Sequence, residues 1–377
     1  MSAFAVQGRC APAFWSVREA FEANFALREE HGAAVAVWRD GQLVVDLWGG
    51  ARDRAGREPW TADTLVCMMS VVKAVTALLV HVLADRGGID LDRPVVAYWP
   101  QFAQGGKSGI LVRHVLDHRA GVPALAAPQP PGIVCDWAAM TAAIAAEPAL
   151  WPAGAVPAYH PVTMGFIAGE LIRRTTGLLP GDFLSEVVAP LGAFDYFIGV
   201  PAHVRAPIAE LWGDYAQTIF GATDRSTLAC RSVELVSPDM FNTDAFHRAQ
   251  IPSINGHGTA RAVATLFGLL AQCHAGRGSA LLSTGALRRA TVEQWWGIEQ
   301  TSMQERRMAL GLLLGGVPSV PINANPASFG HGGAGGALAF ADPDLGIGFA
   351  YGTSHLHDRK GASPRTAALV EALMRSV

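Results

Sequence analysis

Three places in the chain carry residue types that could act together on an acyl group. The first is Ser70-Val71-Val72-Lys73, set in an apolar run from Leu65 to about Ala84. Only three lysines occur, Lys73, Lys107 and Lys360, among 29 lysines and arginines. Residues three apart share a helix face, so on a helix Lys73 lies beside Ser70. An ammonium in apolar surroundings loses its proton readily, and a neutral lysine can accept one from a serine hydroxyl. Arginine could not, because it stays protonated. A surface helix whose lysine snorkels out of the core would show the same spacing.

The second place is Tyr159. It follows Trp151-Pro152-Ala153-Gly154-Ala155-Val156-Pro157, too rich in Pro and Gly to be regular, and precedes His160-Pro161 and a helical pattern. A tyrosine on such a loop can be held rigidly with its hydroxyl accessible, as a proton carrier or as a simple anchor of the loop. Tyr98, Tyr196, Tyr215 and Tyr351 stand in packing or strand contexts without polar neighbours that suggest a role. The third place is Phe329-Gly330-His331-Gly332-Gly333-Ala334-Gly335-Gly336. Its glycines let backbone approach a ligand, and an N–H there could pair with that of Ser70 around a developing oxyanion. The same glycines also suit a bulge or a tight strand entry.

The elements that would position these residues are legible in outline. Residues 12–31 read as an amphipathic helix. The runs on either side of Asp40-Gly41 read as a hairpin ending at Gly49-Gly50. A helix from about Ser70 stops at Arg86-Gly87-Gly88. Val95 to Phe102 reads as a short helix, followed by helices over 138–147, 162–176, 182–190 and 259–274. Arg307 to Gly315 is a strand candidate, and residues 336–340 and 347–351 flank Asp342-Pro343-Asp344 as a second hairpin. Ser363 to Val377 closes the chain as a helix. The economical arrangement is an α+β fold, one antiparallel sheet built from both chain ends, covered by helices, with a large mostly helical region inserted. The expected division is a sheet unit of residues 1–85 and 300–377 and a helical unit of 86–299, with the site between them. G-x-S-x-G, G-x-G-x-x-G and Walker patterns are absent.

Ser70-Val71-Val72-Lys73, Tyr159-His160-Pro161 and His331-Gly332-Gly333 occur in the order and near the spacing of the three motifs of the serine β-lactamase/penicillin-binding-protein superfamily. Val112 to Pro123 and Gly165 to Ile172 resemble its supporting segments, and the likeness runs from about residue 15 to 375. Within that superfamily the chain most resembles the family VIII carboxylesterases. The resemblance implies a β-lactamase-like sheet, Ser70 as acylated nucleophile, and Lys73 and Tyr159 sharing the base role, with Tyr159 passing the proton to the leaving alcohol. It also implies an oxyanion hole from the N–H groups of Ser70 and Ala334, with His331, Gly332 and Gly333 beside the substrate. Two departures matter. Position 161 is proline where class C β-lactamases carry an asparagine, and His331 replaces the lysine that binds the β-lactam carboxylate. A neutral histidine does so poorly near pH 7. Both favour a neutral ester.

The remaining features narrow the reading. A net charge of -3 and no Lys/Arg cluster give no surface for nucleic acid. The five cysteines are odd in number and scattered, neither a disulfide framework nor a zinc site. No cofactor or metal is implied; His114 and His118, four apart on a helical pattern, read as hydrogen-bonding residues. Ser70, Lys73, Thr76 and His81 interrupt the apolar run, which argues against a membrane span. The N-terminus lacks a signal-peptide pattern, so a cytoplasmic location is expected. Nothing indicates an oligomer. Trp60, Trp137, Trp151, Trp212, Trp295 and Trp296 could contribute to an apolar acyl pocket, and Asn255-Gly256-His257-Gly258 could be a loop on its rim. His355 and His357 are expected at the surface. The expected activity is hydrolysis of small to medium acyl esters through an acyl-serine. β-Lactamase, D,D-peptidase, amide hydrolase or acyltransferase chemistry, or a non-catalytic binding role, are the alternatives on the same scaffold.

Overall fold

Strands from both ends of the chain meet in one antiparallel sheet. The computed structural model describes residues 5–213, 227–318, 322–356 and 363–377; Tyr215, His357 and Lys360 lie outside them. The first strands are β1 (Gln7–Cys10), β2 (Gly32–Arg39) and β3 (Gln42–Gly50). Asp40 and Gly41, with φ of 48° and 91°, close the β2–β3 turn, as an Asp-Gly pair favours. Three short strands, β4 (Val66–Cys67), β5 (Tyr196–Ile198) and β6 (Gly256–Gly258), form a separate sheet in the order β4-β6-β5. The late strands are β7 (Trp295–Ile298), β8 (Glu305–Met308), β9 (Leu313–Leu314), β10 (Phe329–Gly332), β11 (Leu338–Asp342) and β12 (Ile347–Thr353). The large sheet runs β1-β3-β2-β12-β11-β10-β9-β8-β7, so β2 and β12 join the two chain ends at its centre.

Side chains alternate across a strand, and in β2 both alternations are apolar because both faces are covered. Ala33, Val35 and Val37 pack with Phe14, Val17 and Phe21 of the N-terminal segment and with Leu369 and Leu373 of the C-terminal helix Pro364–Arg375. Ala34, Ala36 and Trp38 face the other way, into the core shared with the helical region. There the helix Ala260–His274 lies on the sheet. Its approach depends on small residues: a Cβ on Gly268 would stand 2.1 Å from the Trp38 ring, and one on Gly348 would stand 2.1 Å from the Gly268 nitrogen. Each large apolar side chain buried in these layers contributes roughly 1.5–3 kcal/mol.

The helices that matter for the site are α1 (Trp15–Leu27), α2 (Val71–Asp85), α3 (Val112–Leu116), α4 (Trp137–Ala146), α5 (Thr163–Thr176) and α6 (Pro180–Val188). Every residue of α2 from Val71 to Leu83 is buried, as expected of a helix apolar around its whole circumference. Among the described residues no helix is long and apolar enough to cross a membrane.

Three local expectations are corrected. Val95 to Phe102 is two 3-10 turns, Val95–Ala97 and Pro100–Ala103, broken at Trp99, whose ψ of 82° is not helical before Pro100. Arg307 to Gly315 is not one strand: the chain turns through Gly311, at φ 83°, between β8 and β9. Residues 256–258 are not a rim loop but the buried strand β6, paired with β4 immediately before Ser70.

Candidate active site

Ser70 stands at the N-cap of α2, yet its side chain caps no backbone N–H, which leaves the hydroxyl free for other contacts. The turn before it is held open by strain. Met69 adopts φ 49°, a left-handed conformation that costs a non-glycine residue roughly 1–2 kcal/mol. The Met68 N–H is fixed 2.9 Å from the Gly256 carbonyl, so β6 braces that turn. One helical turn later Lys73 is fully buried, with Nζ 3.1 Å from Ser70 Oγ. It also donates to the carbonyls of Pro161 and Ser253, each at 2.7 Å. No carboxylate pairs with it among the described residues. Burial, reinforced by the Arg306 guanidinium, holds its ammonium well below the ordinary lysine range. A neutral amine has two N–H donors and one lone pair. With both donors on carbonyls, the lone pair is left for the serine hydroxyl.

The carbonyl partners come from segments remote in sequence. Pro161 precedes the N-cap of α5, while Ser253 lies in the turn that clasps α2 and α5. Thr76 Oγ1 donates to the Pro252 carbonyl at 2.8 Å. Ser253 Oγ donates to Val162 O at 2.6 Å and accepts from the Gly165 N–H at 2.8 Å. Gly165 permits this contact, since a Cβ there would stand 2.4 Å from the Pro252 backbone.

Tyr159 is buried beside the pair, its ring centroid 5.1 Å from Lys73 Nζ. Burial, with a smaller contribution from the Glu299 carboxylate, pushes its phenol up from the usual range against the opposing pull of Arg306. Glu299 Oε2 accepts the Tyr159 backbone N–H at 2.7 Å. The same carboxylate accepts the N–H groups of Thr301 and Ser302 at 2.7 and 2.8 Å. Arg306, on β8, stacks its guanidinium 4.3 Å from the centre of the Tyr159 ring.

Around the tyrosine stand three neutral histidines. His160 donates from Nδ1 to Ala158 O at 2.5 Å and accepts the Val122 N–H at Nε2 at 3.0 Å, which fixes its tautomer. Burial pushes it down to about 4. His118 accepts the His160 N–H at Nδ1 at 3.2 Å and packs 4.7 Å from the Tyr159 ring; burial holds it well below the histidine range. With φ 62°, His118 has left α3, so it does not share a helix face with His114. His331 donates from Nδ1 to Gly332 O at 2.6 Å, and burial together with Lys73 pushes it down to about 3. Its Nε2 is buried without a hydrogen-bond partner.

The glycine loop meets the serine turn edge to edge. A Cβ on Gly333 would stand 2.3 Å from the Met68 carbonyl oxygen, so only glycine lets the end of β10 lie against the residues before Ser70. The 3-10 turn Ala334–Gly336 then begins at Ala334. The structure thus brings Ser70, Lys73, Tyr159 and the His331–Ala334 loop together. Such a set can take a proton from a hydroxyl, pass it on through a phenol, and offer backbone N–H groups to an oxyanion.

Other expected contributors do not join it. Trp60 is core, and Trp137 donates to Glu170 of α5. Trp212 stacks on His355 at 3.7 Å, which makes His355 half-buried and not a free surface residue. Trp295 donates to Asp117 O at 2.8 Å, and Trp296 is exposed on the edge strand β7. Trp151 is half-buried in the loop that leads to Tyr159. The sequence reading missed Glu299, Arg306 and Ser253, which act across gaps that leave no local pattern. It also missed that Lys107 is a second buried lysine, donating to the carbonyls of Gln104, Ala145 and Glu147. Among the described residues no group of His, Cys, Asp and Glu could hold a metal ion.

Comparison with known proteins gives the family and the fold. The Beta-lactamase family model matches residues 17–373. Esterase/beta-lactamase LipL of Mycobacterium tuberculosis is 33% identical over 372 residues, covering 92% of this chain and 82% of that protein. A solved family VIII carboxylesterase is 33% identical with a TM-score of 0.89, covering 99% of this chain and 100% of that one. A penicillin-binding protein homologue from Caulobacter crescentus is 37% identical with a TM-score of 0.91, over 99% and 100% of the two chains.

Proposed function

The chain belongs to the Beta-lactamase family, and from that premise we propose that it is a serine carboxylesterase cleaving small to medium acyl esters. Its membership, and relatives named as esterases, support a hydrolase of this fold. The finer reading rests on one observation: Lys73 Nζ stands 3.1 Å from Ser70 Oγ while two carbonyls occupy its donors. In the proposed reaction Lys73 takes the Ser70 proton as Oγ bonds to the ester carbonyl carbon. The N–H groups of Ser70 and Ala334 receive the oxyanion. The ester C–O bond then breaks, and the leaving alkoxide takes the phenol proton of Tyr159. The Lys73 ammonium returns a proton to the phenolate, and water releases the acyl group by the reverse sequence. Burial favours the neutral phenol, so the resting pair in this proposal is a neutral amine and a neutral phenol.

The preference for a neutral ester is supported by the third motif. His331 is buried and neutral, and Pro161 offers only its carbonyl, which Lys73 occupies. We place this site between the sheet unit of residues 1–85 and 300–377 and the mostly helical unit of 86–299, with the helix Ala260–His274 packed on the sheet side. The test is turnover of p-nitrophenyl acetate and butyrate by wild type and Ser70→Ala. Equal rates for the two proteins refute the proposal, and nitrocefin hydrolysis matching ester hydrolysis would replace it with a β-lactamase reading.

A further inference from the structure

The half-buried guanidinium of Arg306 has no part in the reaction as written, although it lies against the proton carrier. We propose that Arg306, braced by Glu299, is a positioning residue that holds Tyr159 for proton transfer and stabilises the negative charge developing on its oxygen. This rests on the esterase reading above. The geometry is specific. The guanidinium stands 4.3 Å from the ring centroid of Tyr159, within the range of a cation–π contact. Its side chain is only 12% exposed, and its Nε lies 3.8 Å from Glu299 Oε1, an ion pair too long for a hydrogen bond. Glu299 in turn accepts the backbone N–H of Tyr159. One carboxylate thus holds the tyrosine's main chain and stands beside the guanidinium that stacks on its ring; that guanidinium also donates to Gln304 Oε1 at 3.2 Å.

Arg306 and Glu299 act on the phenol in opposite directions: the guanidinium favours its anion, and the carboxylate, like burial, disfavours it. The other titratable groups facing Tyr159 are Lys73, His118, His160 and His331. Burial favours the neutral form of each. Among the described residues Arg306 is therefore the cation that remains beside the phenol in the resting site. When the phenol proton moves to the leaving alkoxide, the charge left on Tyr159 sits under that guanidinium until Lys73 returns a proton. Arginine suits this task because it stays protonated and stacks on aromatic faces.

The consequence depends on the leaving group. An alkoxide needs the Tyr159 proton to depart, whereas p-nitrophenolate leaves without it. Wild type, Arg306→Lys and Arg306→Met are compared on ethyl butyrate and p-nitrophenyl butyrate. Arg306→Met should lower kcat/KM for the ethyl ester about tenfold more than for the nitrophenyl ester, and Arg306→Lys should recover most of the difference. Equal losses on the two esters, or no recovery by lysine, overturn the inference and reduce Arg306 to a packing residue. If Arg306→Met does not fold, Arg306→Gln gives the same contrast with lysine. Addition of a fluorophosphonate to Ser70, read by mass, separates the two proposals. Labelled, active wild type with an unchanged ester ratio in the variants defeats only the role of Arg306. Unlabelled wild type, or Ser70→Ala as fast as wild type, defeats the esterase reading itself.

Discussion

Replacing Lys73 with methionine should reveal, without any substrate, whether the lysine is neutral in the folded protein. Its ammonium is fully buried, lacks a carboxylate partner among the described residues, and is further disfavoured by Arg306. The unfolded chain returns it to water, with a pKa of about 10.4. Between the lowered folded value and that unfolded value, unfolding takes up a proton, so the penalty for burying the lysine falls as pH rises. The slope is about 1.4 kcal/mol per pH unit. From about pH 8 to about pH 9.5, wild type should therefore gain about 2 kcal/mol relative to Lys73→Met. The methionine also leaves the Pro161 and Ser253 carbonyls without their donor, but that cost is independent of pH and cancels from the slope. His118, His160 and His331 are neutral throughout the window and add nothing to it. Urea denaturation followed by tryptophan fluorescence at several pH values measures the gap. A gap that stays flat would mean that Lys73 keeps its proton in the fold, and the base role would fall with it. In the same variant esterase turnover should drop by about 10²–10⁴.

Other substitutions test the frame around the site. Gly333→Ala puts a Cβ 2.3 Å from the Met68 carbonyl; it should displace the Ser70 turn and lower kcat/KM at least about tenfold, read on p-nitrophenyl butyrate. Glu299→Gln weakens the acceptor shared by the N–H groups of Tyr159, Thr301 and Ser302. It should cost about 2–3 kcal/mol in a denaturation midpoint and lower kcat as well. Gly268→Ala brings a Cβ 2.1 Å from the Trp38 ring. That change should cost about 1–3 kcal/mol and leave kcat unaltered, separating damage to the layer from damage to the site.

The parts of the fold readable from sequence are those that local periodicity or turn chemistry dictates. Asp40-Gly41 marks the first hairpin, and the apolar circumference of α2 marks a central helix. The end of β10 is announced by its glycines. The nearness of Ser70 and Lys73 follows from helix geometry, and the structure places them 3.1 Å apart. What local reasoning could not reach is set by contacts across long gaps. Glu299 binds the Tyr159 N–H from 140 residues away, and Ser253 reaches Lys73 from 180. Arg306 looks in sequence like any charged strand residue. Asn255 to Gly258 looks like a loop because glycines flank its histidine. Yet a Cβ on Gly256 would stand 2.0 Å from the Tyr196 hydroxyl, so those glycines mark close packing inside a small sheet.

The two carbonyls that hold Lys73 belong to segments that are far apart along the chain. Before those segments close around α2, Lys73 is an ordinary solvated ammonium and Ser70 an ordinary alcohol. If the proposed reaction holds, the nascent or partly unfolded chain is chemically silent toward esters. On that proposal, reactivity requires Pro161 and Ser253 in place around Lys73. A covalent probe for Ser70 thus doubles as a gauge of maturation, counting only chains whose last long-range contacts are complete.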